Sequence, residues 1–205
     1  LNPHSDPKLN LHGHYFSIEP EEFVKQGARE FERASYAMSQ LNKAVAVLDQ
    51  IRPLRAKEDS QRWRGTYDLI HAQCLAYRIR LFQYLLVLDD HAASGRKPSD
   101  PKHNRWHIHG TGQQLDPTEE QYARIKKAFN LKESREEYLA RVRSEVQKSD
   151  KAFELVDSEH AGTPWAARAR WDRGRRYGYS FASHFHDPRY AEAGGAGKRI
   201  VIPKF

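Results

Sequence analysis

One cysteine, Cys74, and one methionine are present among 205 residues. A lone thiol excludes an internal disulfide framework and any zinc site built on cysteine. No run reaches the roughly 18 apolar residues that would read as a membrane-spanning helix, and no charged-then-apolar leader is present. No membrane span is therefore expected, and the opening at Leu1 in place of Met reads as a processed or truncated chain. Gly-x-Ser-x-Gly, His-Glu-x-x-His and the dinucleotide-binding fingerprint are also missing. The run Gly194-Gly195-Ala196-Gly197-Lys198 invites a phosphate-loop reading, but Glu192 stands where the first glycine belongs and Arg199 where Ser or Thr is required. The expectation is a chain without catalytic motif, resident cofactor or small-molecule substrate.

What the chain does have is 39% hydrophobic and 30% charged residues, with ten Tyr, nine Phe and four Trp as anchors for a core. Thirty-four Lys and Arg against 27 Asp and Glu give a net charge of +7, a bias toward acidic partners.

The pattern along the chain predicts an all-α fold, an elongated bundle of four to five helices around a long antiparallel hairpin, with extended N- and C-terminal segments. Residues 1–19, with Pro3, Pro7 and Gly13, form a lead-in; residues 20–173 form the bundle; residues 174–205 form a tail ending in the β-prone Ile200-Val201-Ile202. Pro20, Glu21 and Glu22 open the first helix, since proline fits its first position and acids complement the positive end of the dipole. Val24, Ala28, Phe31, Ser35, Met38, Leu41, Val45, Leu48 and Ile51 then step by three and four, up to a stop near Pro53. A second helix starts near Asp59 or Ser60 and carries a seam of Trp63, Tyr67, Ile70, Cys74, Tyr77, Leu81, Tyr84 and Leu88. Residues 92–115 read as a long connection. Asp116-Pro117-Thr118-Glu119 reads as a capped start with proline at the first helical position, Ser134 with Glu137 as a second capping box, and Thr163-Pro164 as the start of one more helix.

Three strings carry a resemblance. Arg62-Trp63-Arg64-Gly65-Thr66-Tyr67-Asp68-Leu69-Ile70-His71-Ala72-Gln73, with Gly162-Thr163-Pro164-Trp165-Ala166 and the ending Ile202-Pro203-Lys204-Phe205, resembles the C-terminal helical region of planctomycete-type proteins with an upstream von Willebrand factor A domain. The segment from Ala152-Phe153 to Ala166 also looks like the turn between helices of a tetratricopeptide-type repeat. The resemblance implies a helical interaction module and brings no catalytic residue with it.

Two constellations could carry binding chemistry. Three His-x-His pairs, His12 with His14, His107 with His109 and His184 with His186, lie outside the expected helices. In an extended segment residues i and i+2 share a face, so each pair could reach one divalent metal, with Asp89, Asp90, His91 or Asp187 completing the sphere. The bland alternative is that these histidines flank aromatic anchors, or form a pH-dependent charge patch. Arg168, Arg170, Arg173, Arg175 and Arg176, interleaved with Trp171, Tyr177 and Tyr179, form a basic aromatic cluster able to hold phosphates and stack bases. Its bland alternative is packing of the tail, with the arginines paired to helix carboxylates. The leading expectation is a structural or interaction protein that binds a protein partner or itself. Metal binding and nucleic-acid binding stand as alternatives.

Overall fold

The computed structural model describes residues 14–187. Five helices and three short strands follow in the order β1 (Tyr15–Ser17), α1 (Pro20–Arg55), α2 (Gln61–Ser94), β2 (Arg105–Thr111), α3 (Glu119–Ala128), α4 (Arg135–Glu159), α5 (Pro164–Gly174) and β3 (Gly178–His184). The mainly helical architecture is as the periodicity predicts.

Local chemistry sets the helix ends. Pro20 occupies the first turn of α1, where its missing N–H costs nothing. The helix does not stop at Pro53 but runs on to Arg55, because the bond proline forfeits falls in the last turn and the Ala56 N–H still reaches the Arg52 carbonyl. Ser60 caps α2 by accepting from the Trp63 N–H, and Gly95 ends it in the left-handed region at φ +57°. α3 begins at Glu119: Thr118 and Gln121 form the reciprocal capping box, and Pro117 lies before the cap instead of inside the first turn. Ser134 with Glu137 repeats the box on α4, and Thr163 caps α5 ahead of Pro164.

α1 and α2 form the long antiparallel hairpin, α4 lies along α2, and α5 folds back on both α4 and α2. Ala72, Ala76, Ile79, Phe153, Val156, Ala169 and Tyr177 make the core on this side. Here residues 62–73 and 162–166 meet. Gly65 sits beneath the Trp165 ring, and a Cβ at that position would come within 3.0 Å of the indole.

The sheet is the departure from the expected fold. β2 lies centrally and pairs antiparallel with both neighbours, Tyr15 opposite His107 on one side and Ile108 opposite Phe181 on the other. Thus the long connection supplies the central strand, and parts of the expected lead-in and tail flank it. Its inner face brings Phe16, Trp106, Ile108 and Phe181 onto Phe23, Ala34, Ala37, Leu85 and Leu88 of the hairpin, forming the second core. This contact also corrects the first stripe on α1: Phe23, Ala34 and Ala37 are buried, whereas Val24 is 54% exposed.

Candidate functional site

The sheet decides where the histidines go. Residues 105, 107 and 109 of β2 share the outer face, and their partners Tyr15, Ser180, Ala182 and His184 point the same way. His107 and His109 lie with ring centroids 5.9 Å apart, Tyr15 stacks on His107 at 4.9 Å, and the Arg105 guanidinium sits 5.3 Å from the Tyr15 ring. His184 is opposite Arg105, on the same face but beyond His107. His14 departs from the expected grouping. Its carbonyl accepts from the Ile108 N–H at 2.9 Å, and the residue lines the cleft that also contains Ile108 and Tyr179. The backbone of His186 is held by the Asn104 side chain just past β3, and His12 lies outside the described residues.

Among the described residues this face gathers imidazoles without forming a coordination sphere. His109 Nε2 and Ser180 Oγ are 2.9 Å apart, and burial, reinforced by His109, His14 and His184, holds the His107 pKa below its ordinary value. Three of the additional ligands named for it go elsewhere. Asp89 takes a two-pronged contact from Arg124 and Asp90 pairs with Arg96. His91 is 5% exposed in a box of Phe23, Trp106 and Phe181. It does not complement the negative end of α2, because burial pushes its pKa down to about 4 and keeps it neutral.

Among the described residues, one group of three ligand-type side chains has its atoms within 4.8 Å of one another: Asp68, Glu159 and His160. A guanidinium already fills the space between these carboxylates. Arg55 donates from Nε to Asp68 Oδ1 at 2.9 Å and from Nη2 to Asp68 Oδ2 at 2.5 Å, and Nη2 also reaches Glu159. His160 Nε2 lies 2.9 Å from Asp68 Oδ2. The contacts raise the Arg55 pKa, mainly through Asp68. The cluster pins the end of α1 to α2 and α4, and its donor set is matched to an internal cation instead of a metal.

Beside it runs a groove of about 900 Å³ between α1, α2 and α4. Its acids have basic side chains as partners: Asp49 with His71 at 3.1 Å, Glu145 with Arg78 and Arg141, Glu159 with Arg55.

The basic aromatic cluster is likewise divided by its surroundings. Arg168 pairs with Asp172 at 2.9 Å, Arg170 with Asp157, and Arg173 with Glu154 at 2.6 Å. Tyr177 is buried and donates to Asp150 Oδ1 at 2.8 Å, and Tyr179 faces the hairpin next to Tyr84. Tyr177 cannot stack an external base, a correction to the stacking surface read from the sequence. The outward remainder is Trp171, 54% exposed, with the Arg168 and Arg175 guanidinium groups 4.5 and 5.0 Å from its ring. Arg176 turns the chain at φ +56°, and its carbonyl accepts from Arg80 Nε.

No family model, curated protein or solved structure matches this chain.

The feature that periodicity alone does not reveal lies on the hairpin. Ile51, Trp63 and Ile70 belong to stripes read as buried seams, yet they are 38%, 64% and 43% exposed. Val47 and Leu54 extend the stripe on α1, at 54% and 64% exposed. Positions 47, 51 and 54 fall on one side of α1, as 63 and 70 do on α2. The Tyr67 hydroxyl donates to the Leu48 carbonyl at 2.7 Å, setting residues 44–54 alongside residues 61–71. Asp49, Arg52, Asp68 and His71 face the groove toward α4. The apolar stripe is therefore on the opposite side of the hairpin, where the sheet covers only the far end.

Proposed function

We propose that this protein is a non-catalytic assembly module that docks a partner protein on the bare apolar side of the α1–α2 hairpin. The supporting observation is the exposure of Val47, Ile51, Leu54, Trp63 and Ile70 on one side of two adjoining helices. An exposed apolar patch of this kind is a common mark of a protein interface, and tryptophan is a frequent anchor in one. Lys43, one turn from Val47, and Arg62, next to Trp63, are exposed and have no ion-pair partner among the described residues. The occupant that fits is an amphipathic helix of a partner protein, its apolar stripe laid along the hairpin and its flanking acids meeting Lys43 and Arg62. The pairing of the groove acids with basic side chains favours a structural role for that groove over a general acid–base one.

A photo-reactive phenylalanine analogue placed at Leu54 or Trp63 in the source cells tests the reading, with the same analogue at Lys148 on the groove as control. The expected result is one defined adduct from the hairpin positions, whose linked peptide is amphipathic and acidic, and none from Lys148. Adducts of equal yield at all three positions, or none at Leu54 and Trp63, would overturn it.

A further inference from the structure

Where the sheet meets the hairpin, a cleft of about 240 Å³ opens between α1, α2, the end of α5 and the strands. Leu41, Leu81, Ile108 and Tyr179 give it apolar walls, and Arg80 and Arg175 supply its charge. Among the described residues no carboxylate lines it. We propose that this cleft binds a small organic carboxylate with an aromatic or branched apolar body.

Arg80 carries the inference. It is 5% exposed, on the buried side of α2. Two of its nitrogens are committed to the backbone: Nε donates to the Arg176 carbonyl at 2.7 Å and Nη2 to the Asp172 carbonyl. Nη1 is buried and has no hydrogen-bond partner among the described residues. The nearest carboxylate, Asp172, does not close the fork. Its Oδ2 accepts from Gln73 and Arg168, and its Oδ1 makes no hydrogen bond. A guanidinium taken out of water with a donor left over and no bonded anion is costly, and a planar carboxylate is the group its geometry matches. Arg175, exposed at the α5 end, lies at the same cleft with no carboxylate partner among the described residues, held over Trp171. Two arginines among the lining residues, with aliphatic and tyrosine walls around them, describe a ligand charged at one end and apolar along its body.

Size narrows the class. Sites for drug-sized ligands run to roughly 300–1,000 Å³, so a cleft of about 240 Å³ suits a single ring or a short branched chain. An inorganic anion alone would leave the apolar walls unused. The proposal departs from the expectation that the chain takes no small molecule. It is independent of the hairpin stripe, so its failure would leave the assembly reading standing.

Titration of the full chain with benzoate, followed by backbone amide NMR, tests it, with benzamide as the neutral isostere. Benzoate is expected to saturate and to shift the amides of Ile108 and Tyr179, with benzamide weaker by roughly tenfold or more. Arg175→Met should weaken benzoate by a similar factor and leave the melting temperature unchanged, because Arg175 is exposed. That variant keeps the test independent of Arg80, whose loss would also release two backbone carbonyls. Absence of saturable benzoate binding would mean that the leftover donor serves water only and would overturn the proposal. Equal binding of benzamide, or full binding by Arg175→Met, would overturn it as well.

Discussion

Acidification should loosen the junction of sheet and hairpin through a single side chain, His91. Its ring lies 4.3 Å from Trp106, 4.4 Å from Phe181 and 4.7 Å from Phe23, centroid to centroid, and its Nδ1 has no hydrogen-bond partner among the described residues. Burial lowers its pKa from the ordinary 6.5 to about 4; Arg96 acts in the same direction and Asp90 opposes it. The folded-state value is below the unfolded one, so the unfolded chain takes up the proton first. The stabilisation is therefore complete above pH 6.5 and is lost as the pH falls toward 4. At about 1.36 kcal/mol per pH unit the interval amounts to roughly 3 kcal/mol, of which about 2 kcal/mol is gone by pH 5. Urea unfolding at pH 7 and pH 5 measures the loss, and His91→Leu removes the titrating group from the same packed box. The wild type should lose about 2 kcal/mol more than His91→Leu between those conditions. Equal losses in the two proteins would refute the reasoning, because carboxylates elsewhere are common to both.

Two further substitutions probe the packing that holds the helices together. Asp68→Asn takes away the carboxylate that receives the Arg55 fork and His160, and should lower stability by about 3 kcal/mol in a urea titration; the paired change Arg55→Met with Asp68→Leu should recover part of that loss, and a double variant no more stable than Asp68→Asn would contradict the network. Gly65→Val drives a branched side chain into the Trp165 ring, which already stands 3.0 Å from where a Cβ would be, and should cost roughly 2–3 kcal/mol in thermal unfolding; an unchanged melting temperature would show that the indole moves aside freely.

Helices were legible because each carries its own signals. The capping boxes read at Asp116 and Ser134, the proline starts at Pro20 and Pro164, and the steps of three and four between them are local, and the structure follows them with small shifts: α1 runs past Pro53, and the cap of α3 moves from Asp116 to Thr118. The sheet was not legible, although Arg105–Thr111 and Gly178–His184 both alternate inward and outward residues. Their partners lie some 70 to 90 positions apart, and glycine, proline and histidine around them read as irregular chain. The same distance effect governs the candidate sites. Three His-x-His pairs are visible as letters, but only the register puts His107, His109 and His184 on one face. The arginines of α5 look like one basic patch until α4 presents Asp157 and Glu154 to them. Trp63 and Ile70 fit a buried seam by spacing, and only the placement of α4 and the sheet shows that nothing among the described residues covers them.

The central claim is most directly tested by the size of the particle the protein forms in its source cells, measured by light scattering for the wild type and for the double substitution Leu54→Glu with Trp63→Glu. Both side chains are mainly exposed, so the variant should melt at the wild-type temperature. The account predicts that the wild type travels in a defined complex and the variant as a folded monomer. A wild type that is itself a lone monomer, or a variant that keeps its complex, would contradict it.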